Sequence, residues 1–463
     1  MHLKINRAIA ATAGEPVRPD GAYRPVSFWQ ETISIAPGAP LGEDTSCDVV
    51  IIGGGYTALS IAHELKRLAP SVDVVILERA VVGHGASGRN GGFVMPLLGW
   101  DLTDAVAKLG REAAADAYRM MYQAVAHTKQ LIADHQIDCD LETTGYLLLA
   151  TCSKREVRLR EEAELGRQLG FDHQWLDRAA VRQHVLSDSF TTGVFDPHPA
   201  IVNPARLARG RLRVVQSLGV RVYEQTAVTE LVEGERSMVR TPSGTVGARA
   251  AVLAVNGYGA ALGFMPSRII PVHTFIVMTE PLSDAQWEAI GWNPRRTSLE
   301  TARNFIHYFR PTRDGRIMFG GEDVKLYWGG RYRDHDPPTF ARLERRFREY
   351  FPALAALRFT HRWGGVLGVT LDMFPTFGVG GSAGNIFHAA GYSGHGVALS
   401  NYAGTIMAPQ ILARLDGHRC KEARCVPFFY GRRPWWLPPE PLRYVGLQLY
   451  RAALRAHDRW QRA

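Results

Sequence analysis

The sequence predicts an α/β fold in which a Rossmann-like, doubly wound domain is interleaved with an α+β domain built on an antiparallel sheet. Three stretches lead to this prediction. Over residues 47–78, a strand, a glycine turn, a helix, a second strand and an acidic residue follow one another. A strand, a glycine turn and a helix occur again over residues 384–415. Between them, residues 268–330 alternate apolar and polar side chains, as antiparallel strands do.

The first stretch has the features of a dinucleotide-binding unit. Four β-branched residues, 49–52, predict a buried parallel strand, and Gly53, Gly55 and Ala58 follow in the pattern G-x-G-x-x-A. Gly53 permits a tight turn, Gly55 lets the backbone approach a pyrophosphate, and Ala58 keeps the helix close to the strand. Glu78 ends the next strand, where a carboxylate holds ribose hydroxyls and repels a 2′-phosphate. The stretch therefore predicts a dinucleotide without a 2′-phosphate.

A glycine-rich loop begins six residues after Glu78 and runs over residues 84–92. Its glycines flank Ser87, Arg89 and Asn90. Because glycine lets the backbone approach a neighbouring group closely, this composition predicts a loop pressed against a bound ligand. The alternative is a flexible surface loop.

The second glycine turn follows a predicted strand at 384–391 and leads into a helix that ends near Leu415. It lacks the full pyrophosphate fingerprint, so we expect no second nucleotide there. The positive end of the helix dipole and the free amides of its first turn stabilise negative charge. The turn therefore fits the anionic N1–C2=O edge of a reduced flavin.

Apolar periodicity and turn residues predict the other elements. The N-terminal arm is irregular, and Phe28 and Trp29 pack against the main body. Helices are expected at 101–135, 153–170, 179–184, 204–218 and 339–350. Strands are expected at 147–150, 219–223, 250–255, 271–278, 305–310 and 316–320, with a turn at 314–315.

These elements divide the chain into two interleaved domains and two terminal segments, consistent with a length of 463 residues. The nucleotide domain is expected from 47–100, 195–260 and 361–418, and the second domain from 101–194 and 261–360. Residues 1–46 form the arm, and residues 419–463 form a basic tail.

Charge and cysteine content exclude several classes of protein. The tail has ten Lys and Arg against three acids, so it supplies most of the net charge of +9, and the near-neutral remainder argues against nucleic-acid binding. Of five cysteines only Cys420 and Cys425 are close, which predicts a reducing compartment, no structural disulfide and no metal site. The chain has neither a signal-peptide core nor a long apolar run, so we expect a cytoplasmic protein.

Four segments together resemble the FAD-dependent oxidoreductases of the D-amino-acid oxidase family, most closely its γ-glutamylputrescine-oxidase-like branch. They are 49–58, 83–92, 363–365 with Asp372 and Pro375, and 391–397. The resemblance covers roughly residues 26–415. It implies an FAD domain assembled from three separated segments and a substrate domain built on an antiparallel sheet. It also implies oxidation of an amine or amino acid at a C–N bond.

The resemblance assigns cofactor contacts residue by residue. FAD would contact Gly53, Gly55, Tyr56, Thr57, Ala58, Glu78, Arg79, Ala86, Ser87, Arg89, Asn90, Gly91, Gly92, Val228, Gly391, Gly394, His395, Gly396 and Val397. No cysteine lies in these motifs, so we expect non-covalent FAD. No second fingerprint for NAD(P)H is present, which favours an oxidase over a pyridine-nucleotide reductase.

Five side chains are candidates for catalysis, each with an alternative. His395 would lie near the flavin, or it caps a helix. His273 could face the flavin ring, or it is a core histidine. Tyr308 and Arg310 share one face of a strand, and Arg310 would clamp a substrate carboxylate or form a structural salt bridge. Lys325 resembles in placement the oxygen-activating lysine of sarcosine-oxidase-like members, or it is an ordinary solvated lysine.

We therefore expect hydride transfer from a neutral amine to flavin N5, hydrolysis of the imine, and reoxidation by O2 to give H2O2. The alternatives are a membrane-associated dehydrogenase that reduces quinone and a flavin-binding protein without turnover. The tail contains two tryptophans, 435 and 436, and a basic amphipathic helix from Leu442 to about Trp460. This helix would lie on an anionic membrane surface, or dock on the protein itself or on a partner subunit. The substrate and the oligomeric state stay open.

Overall fold

Two β-sheets organise the protein in a computed structural model that describes residues 2–6, 12, 24, 26–416 and 426–460. Cys420 and Cys425 lie outside the described residues. The strands are β1 (His2–Lys4), β2 (Thr45–Ile52), β3 (Val74–Leu77), β4 (Phe93–Val94), β5 (Tyr146–Leu149), β6 (Gln174–Leu176), β7 (Gly193–Asp196), β8 (Ala200–Ile201), β9 (Arg221–Tyr223), β10 (Glu230–Val232), β11 (Ser237–Thr241), β12 (Gly244–Leu253), β13 (Ile270–Thr279), β14 (Ser298–Thr301), β15 (His307–Pro311), β16 (Ile317–Gly321), β17 (Phe359–Val369), β18 (Thr376–Gly380) and β19 (Ile386–Ala390).

The α-helices lie mostly between strands of the two sheets. They are α1 (Phe28–Glu31), α2 (Tyr56–Leu68), α3 (Leu102–Leu109), α4 (Arg111–Asp134), α5 (Ser153–Gln168), α6 (Arg178–Arg182), α7 (Pro204–Ser217), α8 (Asp284–Ile290), α9 (Pro337–Tyr350), α10 (Gly396–Asp416) and α11 (Leu442–Trp460).

The first sheet has nine described strands and a parallel centre. Its path is β1-β10-β11-β12-β2-β3-β9, and β19 also pairs with β12 and with β18. Strands β19, β12, β2, β3 and β9 are parallel to their neighbours along this centre. The apolar run at 49–52 is buried on both faces: Val49 and Ile51 pack with residues of α2 and α10, whereas Val50 and Ile52 pack with Leu231, Val239 and other residues of the strands at this edge. This is the Rossmann-like arrangement that the sequence predicts.

The second sheet has eight described strands in the order β17-β13-β16-β15-β14-β5-β7-β6. All its pairings are antiparallel except β14 with β5, which is parallel. One face packs against α9 through an aromatic cluster that includes Phe309, Phe319 and Phe347. The opposite face lies against the loop at 84–92, as the contacts of Arg310 below show. The mixed sheet therefore separates an aromatic core from a face available for ligands.

Several element boundaries differ from the sequence-based ones. Strands β7 and β17 belong to the eight-stranded sheet, so the boundaries set at residues 194 and 361 fall inside strands. Strand β14 and helix α8 were not expected. Helix α4, assigned to the second domain, packs its apolar face, which includes Met121 and Val125, into the core of the first sheet. The division into domains stays a prediction, which these pairings refine.

Described residues near both ends of the chain pack against the body. The N-terminal arm adds β1 to the edge of the first sheet and buries Phe28 and Trp29, as expected of these two residues. The basic C-terminal helix α11 docks through charged residues, because buried Asp323 binds Arg451 and Arg455. Asp458 of the same helix is buried and binds Arg155. Among the described helices, none is both long and apolar enough to cross a membrane.

Candidate active site

A large cavity lies at the carboxyl ends of β2, β3 and β12, where ligands bind in doubly wound sheets. About 1510 Å³ of space, including its open mouth, is free of protein atoms. Thirteen predicted cofactor residues line it: Gly53, Gly55, Tyr56, Thr57, Glu78, Arg79, Ala86, Ser87, Asn90, Val228, Gly394, Gly396 and Val397. The other six predicted cofactor residues are not part of its lining: Ala58, Arg89, Gly91, Gly92, Gly391 and His395.

Backbone geometry explains the first glycine motif. Gly53 has φ +103°, and a Cβ there would lie 2.7 Å from the carbonyl oxygen of Ala254. Gly55 is the N-cap of α2 and offers no side-chain cap. Ala58 is fully buried in the core below the helix, which allows the close helix–strand approach. The first turn of α2 therefore faces the cavity with backbone amides and little side-chain bulk.

Glu78 lies at the end of β3, in the cavity wall. Its carboxylate accepts hydrogen bonds from the backbone N–H of Gly54 at 2.6 Å and of Ala80 at 2.8 Å. Burial raises the pKa of Glu78 to about 7. The side chain is thus fixed in orientation beside the glycine turn, where the ribose of a dinucleotide would lie.

Hydrogen bonds hold the loop at 84–92 in place. This favours the prediction of an ordered, ligand-facing loop over the alternative of a flexible surface loop. Asn90 donates to the carbonyl of Ala86 at 2.9 Å and accepts from the N–H of Gly92 at 2.7 Å. Arg89 is buried and forms an ion pair with Asp334 at 2.8 Å. This ion pair connects the loop to the segment between β16 and α9. Tyr56 N–H donates to Ser87 Oγ at 3.0 Å.

The second glycine turn faces the same cavity from α10. Gly391 and Gly394 have positive φ of 76° and 95°, which side chains rarely adopt. The hydroxyls of Thr57 and Tyr392 are 2.7 Å apart and join the starts of α2 and α10. Nδ1 of His395 is buried and has no hydrogen-bond partner among the described residues. Burial lowers the pKa of His395 to about 4, so the ring is neutral near pH 7.

The four other predicted catalytic residues do not line this cavity. His273 is fully buried, and its ring nitrogens lie 3.1 Å from the N–H of Arg333 and 3.4 Å from the carbonyl of Lys325. Burial lowers its pKa to about 4. This geometry favours the core-histidine alternative. Lys325 pairs with Asp336 at 2.6 Å, so it is not a solvated lysine either.

Arg310 connects the second sheet to the loop at 84–92. Its Nε donates to the carbonyl of Gly91 and its Nη2 to that of Val202, both at 2.7 Å. Its guanidinium carbon lies 4.7 Å from the ring centroid of Trp29. Burial lowers the pKa of Arg310 to about 9, which leaves it charged near pH 7. The side chain therefore binds backbone carbonyls. The sequence predicts a carboxylate partner, either from the substrate or in a structural salt bridge.

Tyr308 lies on the same face of β15 as Arg310. Its ring meets that of Phe93, directly after the loop, edge-to-face at 5.8 Å. Its strand neighbour on β14 is Glu300, a buried acid that sequence reasoning missed. Nothing local marks Glu300, because the strand that contains it has only four residues and no alternating pattern. Asn256, which accepts from the N–H of Gly391 at 3.1 Å, was also missed.

The cavity lies between the N-termini of α2 and α10, and Glu78 lies beside the first of them. Backbone amides and helix dipoles at these N-termini would face phosphate groups, and the glycines leave space that a Cβ would fill. This arrangement fits a dinucleotide. The fold and the cavity thus define a dinucleotide-dependent enzyme of the Rossmann class. The family model "DAO: FAD dependent oxidoreductase" matches residues 48–410. The chain belongs to this family, and its cofactor is FAD.

Relatives agree over most of the chain. A γ-glutamylputrescine oxidoreductase of Escherichia coli K12 is 33% identical over 391 residues, covering 83% of this chain and 87% of the relative. A probable oxidoreductase, OrdL, of Rhizobium meliloti is 33% identical and covers 88% and 92%. The glycine oxidase structure from Geobacillus kaustophilus superposes with TM-score 0.69 at 22% identity, covering 81% of this chain and 95% of that one. This last likeness shows the fold.

Proposed function

We propose that the protein oxidises a C–N bond of an amine or amino acid by hydride transfer to FAD and passes the electrons to O2, with release of H2O2. The observation that carries this proposal is the contact of Arg310 with Gly91. It sets one face of the eight-stranded sheet against the loop predicted to hold the reactive half of FAD. The names of the relatives, γ-glutamylputrescine oxidoreductase and glycine oxidase, support an amine or amino acid as substrate.

The cofactor contacts follow from the cavity wall. Gly53 and Gly55 would face the pyrophosphate with backbone atoms, and Glu78 would accept hydrogen bonds from the ribose of the adenosine. The Ser87–Gly92 loop would lie along the ribityl chain and the ring. Residues 394–397 would border the pyrimidine edge, where the positive end of α10 stabilises negative charge. With no cysteine in these segments, we propose non-covalent binding.

The geometry suggests roles for the predicted catalytic residues other than direct proton transfer. His395 is neutral, its Nδ1 has no partner among the described residues, and it lies between the lining residues Gly394 and Gly396. It would act as a hydrogen-bonding group beside the pyrimidine edge and not as a positive charge. Arg310 and His273 would position the loop and the sheet, since their polar atoms already bind backbone groups. No residue need act as general base, because a deprotonated amine can enter and be oriented by the surrounding walls.

The test is an anaerobic screen of polyamines, N-methyl amino acids and D-amino acids against the holoenzyme. Bleaching of the absorbance near 450 nm (roughly where oxidised flavins absorb) is expected for at least one class. Peroxide formed in stoichiometric amount on admission of air supports O2 as acceptor. A flavin that no amine bleaches would favour the binding protein without turnover.

A second candidate is a membrane-associated dehydrogenase that reduces quinone. Helix α11 turns its charged residues toward the protein and its apolar stripe outward: Leu442 and Leu449 are 66% and 67% exposed. Trp435 and Trp436 are exposed close by in sequence. This orientation supports contact with a membrane surface through tryptophan and leucine side chains that insert among the lipids, while Arg451 and Arg455 stay paired with Asp323.

Liposome co-sedimentation tests that contact. The full chain is expected to sediment with vesicles that contain anionic lipid, and a variant with Leu442→Glu and Leu449→Glu is expected to stay in the supernatant. Val157→Glu, at another exposed apolar position, is the control. Equal soluble fractions for the full chain and the double variant would reject membrane contact, while quinone reduction without peroxide would still identify a dehydrogenase.

A further inference from the structure

Glu300 is a buried carboxyl group without a cationic partner. It is 8% exposed, and the hydroxyl of Tyr146 is its polar neighbour. Among the described residues, no Lys or Arg lies within ion-pair distance of it. Asp323 and Asp458, which are similarly buried, each bind arginine. Glu300 therefore differs from the acids that hold the fold together.

The side chain lies on the face of the sheet that meets the loop at 84–92. Glu300 is directly opposite Tyr308, and side chains of one strand alternate between faces. Its neighbours Leu299 and Phe309 belong to the aromatic core on the other face. Tyr308 contacts Phe93, and Arg310 on the same face contacts Gly91. Glu300 thus lies on the face of the sheet that meets the loop, beside Tyr308 on the neighbouring strand.

Burial makes the charged form of this group costly. It raises the pKa of Glu300 to about 8, and no nearby cation opposes the shift. The neighbouring position on β5 is apolar Leu148. An apolar side chain in place of Glu300 would therefore pack there without the cost of burying a charge. A ligand cation beside the carboxylate would restore the missing partner and favour the ionised form.

We propose that Glu300 binds an ammonium group of the substrate at the end remote from the bond that is oxidised, so that the site prefers diamines and polyamines to amines with a neutral tail. This inference rests on the proposed amine oxidation. The reacting nitrogen must be neutral, and a carboxylate paired with it would keep it protonated. The carboxylate therefore suits the other end, while the rings of Tyr308 and Phe93 border the methylene chain.

The experiment compares two amines of equal length, 1,4-diaminobutane and 4-amino-1-butanol, as reductants of the holoenzyme. The wild type is expected to show the higher kcat/KM with the diamine. Glu300→Gln keeps the size of the side chain and removes its charge, so the preference for the diamine is expected to fall about 10- to 100-fold, mainly through KM. Glu300→Asp, which keeps the charge, is expected to restore part of the preference. Glu288→Gln, an exposed acid on α8, is the control and keeps the wild-type preference.

FAD content and melting temperature establish that each variant is folded. A fall in kcat/KM by the same factor for both amines would make Glu300 a structural residue and overturn the inference. So would a wild type that shows no preference for the diamine, or that is reduced by amino acids alone; in both cases the proposed oxidase activity would stand. If no amine or amino acid reduces the wild-type flavin, the proposed function itself fails.

Discussion

The glycine-walled cavity of the nine-stranded sheet and the facing surface of the eight-stranded sheet use different chemistry. The cavity wall presents backbone amides, and several of its glycines are required because a Cβ would fill the space or strain the chain. The sheet surface presents side chains: Glu300, Tyr308 and Arg310. Added atoms should therefore damage the first region most, whereas the second should respond to the loss of a hydrogen-bonding group or to a change of charge. The following substitutions test this difference.

The largest effect is expected from Gly53→Ala. The positive φ costs about 1–3 kcal/mol for a residue with a Cβ, and the new methyl would lie 2.7 Å from the oxygen of Ala254. We expect loss of bound FAD by at least tenfold in the ratio of flavin to protein absorbance, together with a lower melting temperature. Gly42→Ala is the control, because a Cβ there meets no atom within 4 Å. Normal FAD content in Gly53→Ala would show that the turn is not part of the cofactor site.

The contrast between the two regions explains what could be predicted from the sequence. Gly53 and Gly394 were found because their positive φ angles favour glycine within motifs that span a few residues of chain, so the signal is local. Glu300 acquires its place from β14, which pairs with β15 on one side and with the distant β5 on the other. Such pairing is non-local, and a four-residue strand has too short a pattern to reveal it.

Helices show the same limit. The periodicity of residues 101–135 predicted one helix, where the structure has α3 and α4 separated at Gly110, and it did not show that the apolar face of α4 packs into the core of the nine-stranded sheet. In α11, the apolar stripe was predicted from spacing. Its outward orientation depends on Asp323 and Asp458, which bind arginines across large sequence separations. Periodicity identifies a face, while the partner of that face is set by the rest of the fold.

Arg310→Lys is expected to have the next largest effect, since it removes the fork that reaches two carbonyls. Gly91 and Val202 would each lose a charge-assisted hydrogen bond, which contributes about 1.5–3 kcal/mol. We expect a decrease of about 2–4 kcal/mol in the free energy of unfolding by denaturant, and weaker FAD binding. Arg313→Lys, on an exposed side chain paired with Asp140, should change stability by less than about 0.5 kcal/mol. Equal effects of the two substitutions would contradict the bridging role.

A pH-dependent effect is expected from Glu300→Gln. The pKa of Glu300 is raised to about 8 in the folded protein, from about 4.3 in an unfolded chain. The folded state therefore binds the proton more tightly, and this stabilisation is lost as pH rises through 8. Between pH 6 and pH 9, the wild type should lose about 2–3 kcal/mol of unfolding free energy relative to Glu300→Gln without substrate. Denaturant titrations at both values measure the difference, and a constant difference would refute the buried, unpaired carboxyl.

The smallest effect is expected from Ser87→Ala, which removes a side chain from the backbone-lined cavity. Ser87 Oγ accepts one hydrogen bond, from the N–H of Tyr56, and a single neutral hydrogen bond contributes about 1 kcal/mol. FAD affinity, measured by flavin fluorescence on titration of the apoprotein, should fall about fivefold. Ser243→Ala, an exposed site far along the chain, should leave affinity unchanged. A loss as large as that of Gly53→Ala would mean that the cavity depends on side chains as much as the opposite sheet does, and would remove the distinction between the two regions.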